Sequence, residues 1–476
     1  MLRQISSYMI ANVVTVVIGG ASVVLFTHIL SPHEYGIYVL GISVAGLIST
    51  LLFGWIKTSV LRFTSEEGGA DVRMSALIAY GVIVMAIPLM VIAALFLPDG
   101  SAQYVVPAIF VAYTVGLFEF VLEIFRARQE TGSYMRSTIL RALLGITLSC
   151  LLVMVFDLGG QGLLISVAGS YLVTILVYAP MVWRRPLHGF DRAILTEMLR
   201  FGLPMTVSGG IFMLHTIIDR LIIVSFLGEN AAGNYGAAAD LVRQIILFPG
   251  VAIGSAIVPI AIRLLSQDGP AATNRHLLHS LELLLAILIP ACVGMALTAA
   301  NFSGLILGPE FEVAASQLIP VIVFAWLFRS ISYQFIHVSF QLAKTARLVS
   351  IQGMVILTIN VIGMLVLVPR LGLMGAAWSL LFSEICGVIV GYFLSFKAHP
   401  LPLEIWPTVK ICIATVIMAV PTWFVEGFFP NKGLIDLIVP VLTGIVAYTV
   451  AALCLDVAGI RQMLRDRFSK AAQLPV

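Results

Sequence analysis

Long apolar stretches recur along the whole chain, and short polar segments separate them. Each stretch holds about 20 residues, which is enough for an α-helix to cross a hydrocarbon core of ~30 Å. The pattern predicts an all-α integral membrane protein with about fourteen transmembrane helices. The predicted spans are approximately 8–29, 37–61, 74–97, 104–125, 138–156, 161–183, 201–227, 233–258, 277–300, 314–342, 349–368, 373–396, 405–425 and 435–455.

The composition agrees with a membrane protein. Of 476 residues, 60% are hydrophobic and 11% are charged, and the mean hydropathy is +1.05. A soluble domain carries roughly 25% charged residues. The first segment, MLRQISSYMIANVV, has no small-residue cleavage site before the next span, so we expect a retained helix. The connections between spans are short, which leaves no room for a soluble catalytic or nucleotide-binding domain.

The basic residues alternate between the two sides of the predicted bundle. Of the 27, three lie deep inside spans (Arg220, Arg243 and Arg329) and two lie in loops on the side away from the N-terminus (Arg370 and Lys432). The other 22 lie in loops or at span ends on the same side as the N-terminus. Because cytoplasmic loops carry an excess of Lys and Arg, both termini are predicted to be cytoplasmic. The net charge of +3 thus reflects topology and does not point to nucleic acid.

The cysteine and histidine content does not suggest a metal centre. No CxxC spacing occurs, and no pair of histidines or carboxylates has the spacing of metal ligands. Neither a cofactor nor a metal is expected. All five cysteines lie in or beside apolar segments and are predicted to be inert: Cys150, Cys292, Cys386, Cys412 and Cys454.

Two halves of the chain can be aligned. ILSPHEYGIY (29–38) aligns with FLGENAAGNY (226–235) at an offset of 197 residues, and MLR at the N-terminus recurs at the same offset. DLGGQGLLIS (157–166) resembles RLGLMGAAWS (370–379). The matches predict two six-helix lobes in a parallel pseudo-repeat, with two helices appended. The predicted divisions are an N-terminal lobe 1–190, a C-terminal lobe 191–400, appended spans 401–456 and a basic cytoplasmic tail 457–476.

Several charged residues fall inside the predicted spans, where an ionised group costs about 2.5–3.5 kcal/mol on insertion scales. Such groups usually face a bundle interior or a wet cavity. We expect an anionic ligand in a central cavity, because three of these residues are arginines with hydrogen-bonding groups nearby. The predicted substrate-binding residues are Arg220, Arg329, Arg243, Asp219, Asp240, Gln244, Tyr333 and His337.

Other roles for these charges stay open. Asp240 and Arg243 are three residues apart and could form a structural ion pair instead. Glu119 and Glu384 could each bind a coupling proton or cation, or be hydrogen-bonded between helices. His337 could be a packing histidine. The stripe that carries Tyr333 and His337 is predicted as a regular helix face.

The segment DRLIIVSFLGENAAGNYGAAADLVRQIILFP (219–249) resembles the central signature of bacterial polysaccharide flippases. These are the O-antigen and exopolysaccharide repeat-unit translocases of the multidrug/oligosaccharidyl-lipid/polysaccharide exporter superfamily. The family pattern is an Asp-Arg near the end of span 7, a Leu-Gly turn, a Gly-x-Tyr and a polar helix. Here it corresponds to Asp219-Arg220, Leu227-Gly228, Gly233-Asn234-Tyr235 and 240–244. HILSPHEYGIYVL (28–40) and RLGLMGAAWSLLFSE (370–384) extend the likeness over essentially the whole chain.

The resemblance implies a two-lobed bundle in the bacterial inner membrane that works by alternating access and is not an enzyme. The implied substrate is a polyprenyl-diphosphate-linked oligosaccharide, a lipopolysaccharide or exopolysaccharide repeat unit, carried from the inner to the outer leaflet. Membrane lipids, a glycan polymerase and export machinery are the implied partners. The appended spans resemble those of the lipid II flippase branch, where a groove could hold the lipid tail. This chain departs from the family in one respect, because its N-terminal lobe has few deep cations, with only Lys57 near the inner edge of its span. We expect the Lys57 side chain to extend to the cytoplasmic surface.

Two alternatives remain. A cation-coupled multidrug extruder of the same superfamily would favour acids and aromatics in its cavity, whereas this chain has arginines within its spans. A membrane-embedded glycan polymerase or ligase would need a long outer loop for its chemistry, and the predicted outer loops are short. We therefore expect a flippase.

Overall fold

The computed structural model describes residues 2–65, 71–97, 100–184, 189–429 and 433–461. All secondary structure within these ranges is helical. The helices are α1 (Leu2–Ile29), α2 (Pro32–Ser65), α3 (Arg73–Val84), α4 (Ile87–Leu95), α5 (Ala102–Ala127), α6 (Thr131–Cys150), α7 (Gly159–Trp183), α8 (Arg192–Gln267), α9 (Gly269–Leu297), α10 (Ala299–Ile306), α11 (Pro309–Ile331), α12 (His337–Leu342), α13 (Ala346–Leu371), α14 (Leu373–Ser395), α15 (Ile405–Glu426) and α16 (Leu434–Leu455). Lys432 and the predicted tail beyond residue 461 lie outside the described residues.

Each predicted span falls on helical structure, with span 74–97 divided between α3 and α4 and span 314–342 between α11 and α12. Within the described ranges, eleven helices are long and apolar enough to cross a membrane, or up to twelve when the bent part of α8 is counted as one span. Fewer are counted than predicted because two predicted spans lie on α8, which is interrupted at Gly228, and α1 contributes the shorter apolar stretch Val13–Ile29. The prediction of an all-helical, multi-pass membrane protein is confirmed.

Glycine explains how α8 can cover two predicted spans. Gly228 has φ +81° and ψ 177°, a non-helical conformation that glycine adopts without the steric cost of a side chain. This residue is the glycine of the predicted Leu-Gly turn. A second change of direction, of 42°, separates Arg192–His215 from Ile217–Ile246.

The helices pack into two compact units, residues 1–236 and 237–476. In the first unit, α2 packs on α5 and α7, and the ring of Phe53 stacks on that of Tyr80 with centroids 4.8 Å apart. In the second unit, α13 and α11 pack on α14, and α15 packs on α16. The predicted lobe boundary at residue 190 remains a prediction from the repeat. The packing boundary lies later because the first part of α8 runs along α2.

α2 and α8 approach each other unusually closely at one end of their contact. The predicted topology places this end on the outer side of the membrane. A side chain at Gly36 would overlap the carbonyl oxygen of Glu229, and one at Gly233 would overlap the carbonyl oxygen of Pro32. The two contacts are related by the repeat offset of 197, since Glu229 aligns with Pro32 and Gly233 with Gly36. Equivalent residues making equivalent contacts are what a two-fold relation between the two helices requires.

Candidate functional site

In the first unit, a half-exposed ion pair joins α2 and α5. Lys57 Nζ lies 3.0 Å from Glu119 Oε1, and the two side chains are 40% and 36% exposed. One turn further along α5, Arg126 pairs with Glu123 at 3.0 Å and also donates to the hydroxyl of Tyr134. The structure gives Lys57 a carboxylate partner on a neighbouring helix, and its reach to the cytoplasmic surface stays a prediction. Glu119 as an ion-coupling group remains a prediction.

The adjacent charges Asp219 and Arg220 have separate surroundings because consecutive helical side chains point about 100° apart. Arg220 Nη1 donates to Ser43 Oγ at 2.9 Å, on α2. Asp219 is buried and accepts a hydrogen bond from the hydroxyl of Tyr235 at 3.4 Å. Each side chain of the Asp-Arg motif thus makes a contact outside its own helical turn. Their assignment to substrate binding stays a prediction.

The second unit contains a buried ion pair between α11 and α14. Arg329 Nε lies 2.6 Å from Glu384 Oε1, and the two side chains are 7% and 2% exposed. The guanidinium also lies 4.8 Å from the ring centroid of Trp326. The structure therefore joins the arginine predicted to bind substrate and a carboxylate predicted to couple an ion. Both assignments stay predictions, and the pair is neutral as a whole.

A second ion pair in this unit is more accessible. Arg243 Nη2 lies 3.3 Å from Asp240 Oδ1, with the arginine side chain 39% exposed and the aspartate 13%. This is the i, i+3 pair that the spacing allows. Gln244, the next residue after Arg243, is half-buried. Arg243 therefore keeps donors available for a ligand while Asp240 holds it in place.

Tyr333 and His337 lie at a π-helical turn, Ser332–Ile336, and not on a regular helix face. Their rings are 5.3 Å apart. Tyr333 and His337 are thus neighbours as predicted, but the helix that carries them is not regular, because a π turn has i→i+5 hydrogen bonds. Fully buried Gln352 donates to the carbonyl of Gly387 at 2.9 Å and to Ser332 Oγ at 3.3 Å. The π turn thus lies beside buried polar groups of α13 and α14.

An apolar groove of about 460 Å³ lies between α9, α15 and α16. Tyr448 crosses one side of it and donates to the carbonyl of Ala286 at 2.7 Å. The sequence indicated the appended helices for such a groove but did not give the residues on α9, because facing positions on three helices cannot be paired from spacing alone. Small residues and two prolines leave the space open. The lining includes Pro290, Gly294, Met418, Pro440, Gly444 and Ile445.

No group of three or more His, Cys, Asp or Glu side chains could hold a metal ion among the described residues.

The family is decided by comparison with known proteins. A family model described as "Polysaccharide biosynthesis protein" matches residues 1–265, more than half of the chain. The chain belongs to this family. The family resemblance inferred from the sequence motifs is thereby confirmed.

One curated relative of this family member is "Probable flippase AglR" of Haloferax volcanii, which is 24% identical over 268 residues. The match covers 54% of this chain and 54% of the relative, so the chain spans about half the length of the curated relative it matches.

Solved structures show the same fold over most of the chain. "Lipid II flippase MurJ, inward closed conformation" has a TM-score of 0.77 at 16% identity and covers 94% of this chain and 97% of its own. A multidrug resistance MATE family transporter of the MOP superfamily, in an inward-facing conformation, has a TM-score of 0.65 at 14% identity. It covers 80% of this chain and 93% of its own. At such identities these likenesses establish the fold.

Proposed function

We propose that the protein is a flippase that carries a polyprenyl-diphosphate-linked oligosaccharide across the membrane by alternating access. The substrate class is the repeat unit of a lipopolysaccharide or exopolysaccharide. The apolar groove of about 460 Å³ carries the proposal. A groove lined almost entirely by apolar side chains suits the polyprenyl chain of such a substrate. A water-soluble substrate has no such chain.

The headgroup needs a different environment. Burying an unpaired diphosphate in hydrocarbon is prohibitive, so a transporter must supply cations and hydrogen-bond donors. Each unit contains ion pairs whose cations are about two-fifths exposed, namely Lys57 and Arg126 in the first unit and Arg243 in the second. Guanidinium and ammonium groups bind phosphate oxygens by charge-assisted hydrogen bonds. Lys57 and Arg243, which lie within predicted spans, are each a proposed phosphate contact within their own unit, with Arg220 in the first unit and Gln244 in the second as further polar groups.

The pairing also suggests how transport is coupled. When a phosphate oxygen takes the place of the Glu119 carboxylate beside Lys57, that carboxylate loses its cationic partner. The freed carboxylate can then attract another cation in place of Lys57. Glu119 is therefore the proposed coupling residue, and substrate binding and ion uptake would occur together.

The proposed orientation has both termini in the cytoplasm, following the positive-inside pattern. The proposed location, the bacterial inner membrane, follows from the family resemblance. A glycan polymerase and export machinery that use the flipped repeat unit are proposed partners, and membrane lipids surround the apolar helices.

A gene deletion with complementation tests this function. Deletion should cause a lipid-linked oligosaccharide to accumulate in the inner leaflet, and wild-type protein should clear it. Lys57→Ala and Arg243→Ala should not clear it, whereas Arg370→Gln, which changes an exposed arginine at the end of α13, should.

Two outcomes would contradict the proposal. Increased drug sensitivity without any accumulated lipid-linked glycan would favour a multidrug extruder. Accumulation of single repeat units on the outer face would favour a polymerase.

A further inference from the structure

A polar pocket of about 230 Å³ lies at the end of the second unit where both α9 and α15 begin. Arg275, His279 and Glu282 contribute from α9, at spacings of four and three residues that place them on one helix face. Glu404 and Thr408 contribute from the start of α15. The pocket is separate from the apolar groove, whose lining on α9 begins only at Ala286.

Hydrogen bonds fix the walls of this pocket. Glu282 Oε1 accepts the backbone N–H of Ala458 at 2.8 Å, which ties α9 to the turn after α16. Asn274 Oδ1 lies 2.9 Å from His399 Nε2, which ties the start of α9 to the segment before α15. The pocket is therefore preformed, and Glu282 already has a structural partner.

An apolar track starts at the same place. A second space, of about 350 Å³, is also lined by Thr408 and continues along one face of α15 to Ile417. Its other lining residues include Ile405 and Val416, which are 79% and 63% exposed and face the bilayer. From Ile405 to Ile417 a helix rises roughly 18 Å. This is close to the ~15 Å depth of one leaflet's hydrocarbon region.

We propose that this combined pocket and track binds one bilayer phospholipid whose headgroup carries a phosphate and a primary amine. Arg275 and His279 would hold the phosphate, Glu404 would accept hydrogen bonds from the ammonium, and an acyl chain would lie along α15. The site is distinct from the proposed substrate groove and does not depend on the flippase function.

The charges of the pocket favour a zwitterionic headgroup. At neutral pH its lining has one formal positive charge, on Arg275, and two negative charges, on Glu282 and Glu404. A phosphate without an amine would add a third negative charge and leave Glu404 facing it. An ammonium beside Glu404 removes that repulsion, whereas a quaternary ammonium has no N–H to donate.

Native mass spectrometry of the purified full chain tests the proposal, with phosphatidylethanolamine, phosphatidylglycerol and phosphatidylcholine offered in equal amounts. We expect wild type to retain phosphatidylethanolamine over either other lipid by about fivefold, the size of one good surface ionic contact. Glu404→Gln should remove the preference over phosphatidylglycerol. Arg275→Gln should reduce the retention of all three lipids. All of these side chains are exposed, so folding should be unaffected.

Two variants outside the pocket serve as matched controls. Glu310→Gln and Arg370→Gln change exposed charges outside the pocket and should behave as wild type. Val416→Gln should weaken retention of every lipid without changing the order of preference. Equal retention of phosphatidylethanolamine and phosphatidylglycerol by wild type would overturn the proposal. So would a preference for phosphatidylethanolamine that survives Glu404→Gln.

Discussion

Gly36 on α2 and Gly233 on α8 lie against each other, and each occupies a position where a side chain would overlap backbone of the opposite helix. The two glycines are aligned by the internal repeat, so the sequence relation and the spatial relation coincide. Glycine at such a crossing lets two helix backbones approach more closely than any other residue allows. This contact fixes how α2 and α8 pack within the first unit.

Replacing either glycine should destabilise the protein. Gly36→Ala and Gly233→Ala each place a methyl group against a carbonyl oxygen that cannot rotate away, and overpacking of this kind costs about 1–3 kcal/mol. Gly81→Ala is the matched control, because nothing lies within 4 Å of a Cβ at that position. In thermal unfolding in detergent, Gly36→Ala and Gly233→Ala should have a lower melting temperature than wild type, whereas Gly81→Ala should not. A melting temperature of Gly36→Ala equal to that of wild type would refute the close crossing.

The buried pair Arg329–Glu384 leads to a second prediction. Arg329→Ala leaves a buried carboxylate without its partner and should cost about 3–5 kcal/mol, whereas replacing both residues by apolar ones of similar size is often neutral. We expect Arg329→Met with Glu384→Leu to restore the melting temperature. Restored stability with lost transport is the result expected if Arg329 binds substrate or Glu384 couples an ion, and retained transport would contradict both assignments.

The ion pairs of the protein illustrate which contacts the sequence can and cannot predict. The spans follow from hydropathy, the turn at Gly228 from its motif, and the i, i+3 pair Asp240–Arg243 from helical geometry. Lys57–Glu119 and Arg329–Glu384 join residues 62 and 55 positions apart. Their pairing depends on which helices pack together and at what height, which one sequence does not specify.

The other features that the sequence missed have related causes. The π turn at Ser332–Ile336 has no glycine or proline to mark it. The apolar groove needs facing residues from three helices, of which the family resemblance indicated two. The boundary between the two packing units lies near Gly236 because the first part of α8 packs along α2. The amino-acid composition does not change at this position.

Filling the groove should affect substrates according to the length of their lipid. Gly294 lines the groove and has nothing within 4 Å of a Cβ, so Gly294→Phe places a ring in the open space. We expect translocation of a long-chain polyprenyl substrate to fall about tenfold, an effect of ~1.4 kcal/mol. A short-chain analogue should be affected less.

Val313→Phe is the control for that variant, since Val313 is 68% exposed and lies outside the groove lining. Rates should be measured for both chain lengths in the same vesicles. Equal losses for the long and the short substrate would mean that the groove does not hold the chain.

His399, in the segment between α14 and α15, should make stability depend on pH. Burial lowers the pKa of His399 below its ordinary value of 6.5. The unfolded chain therefore takes up the proton at a higher pH than the folded protein does. The stability contribution is complete above about pH 6.5 and is lost as the pH falls through the lowered pKa of the folded state.

The corresponding experiment compares melting temperatures at about pH 7.5 and about pH 5, on either side of the ordinary histidine pKa. Wild type should lose more stability on acidification than His399→Gln, whose amide can still meet Asn274. An equal loss in both proteins would assign the pH effect to other groups.

Translocation by the purified protein tests the central claim most directly. The protein would be reconstituted in vesicles with a fluorescent polyprenyl-diphosphate oligosaccharide, and an impermeant quencher would report the labelled fraction on the outside. We predict exchange between leaflets with wild type and with Arg370→Gln, and at least about tenfold slower exchange with Lys57→Ala or Arg243→Ala, the loss of ~1.4 kcal/mol of binding. Vesicles in which wild type leaves the labelled lipid in its starting leaflet would contradict the account.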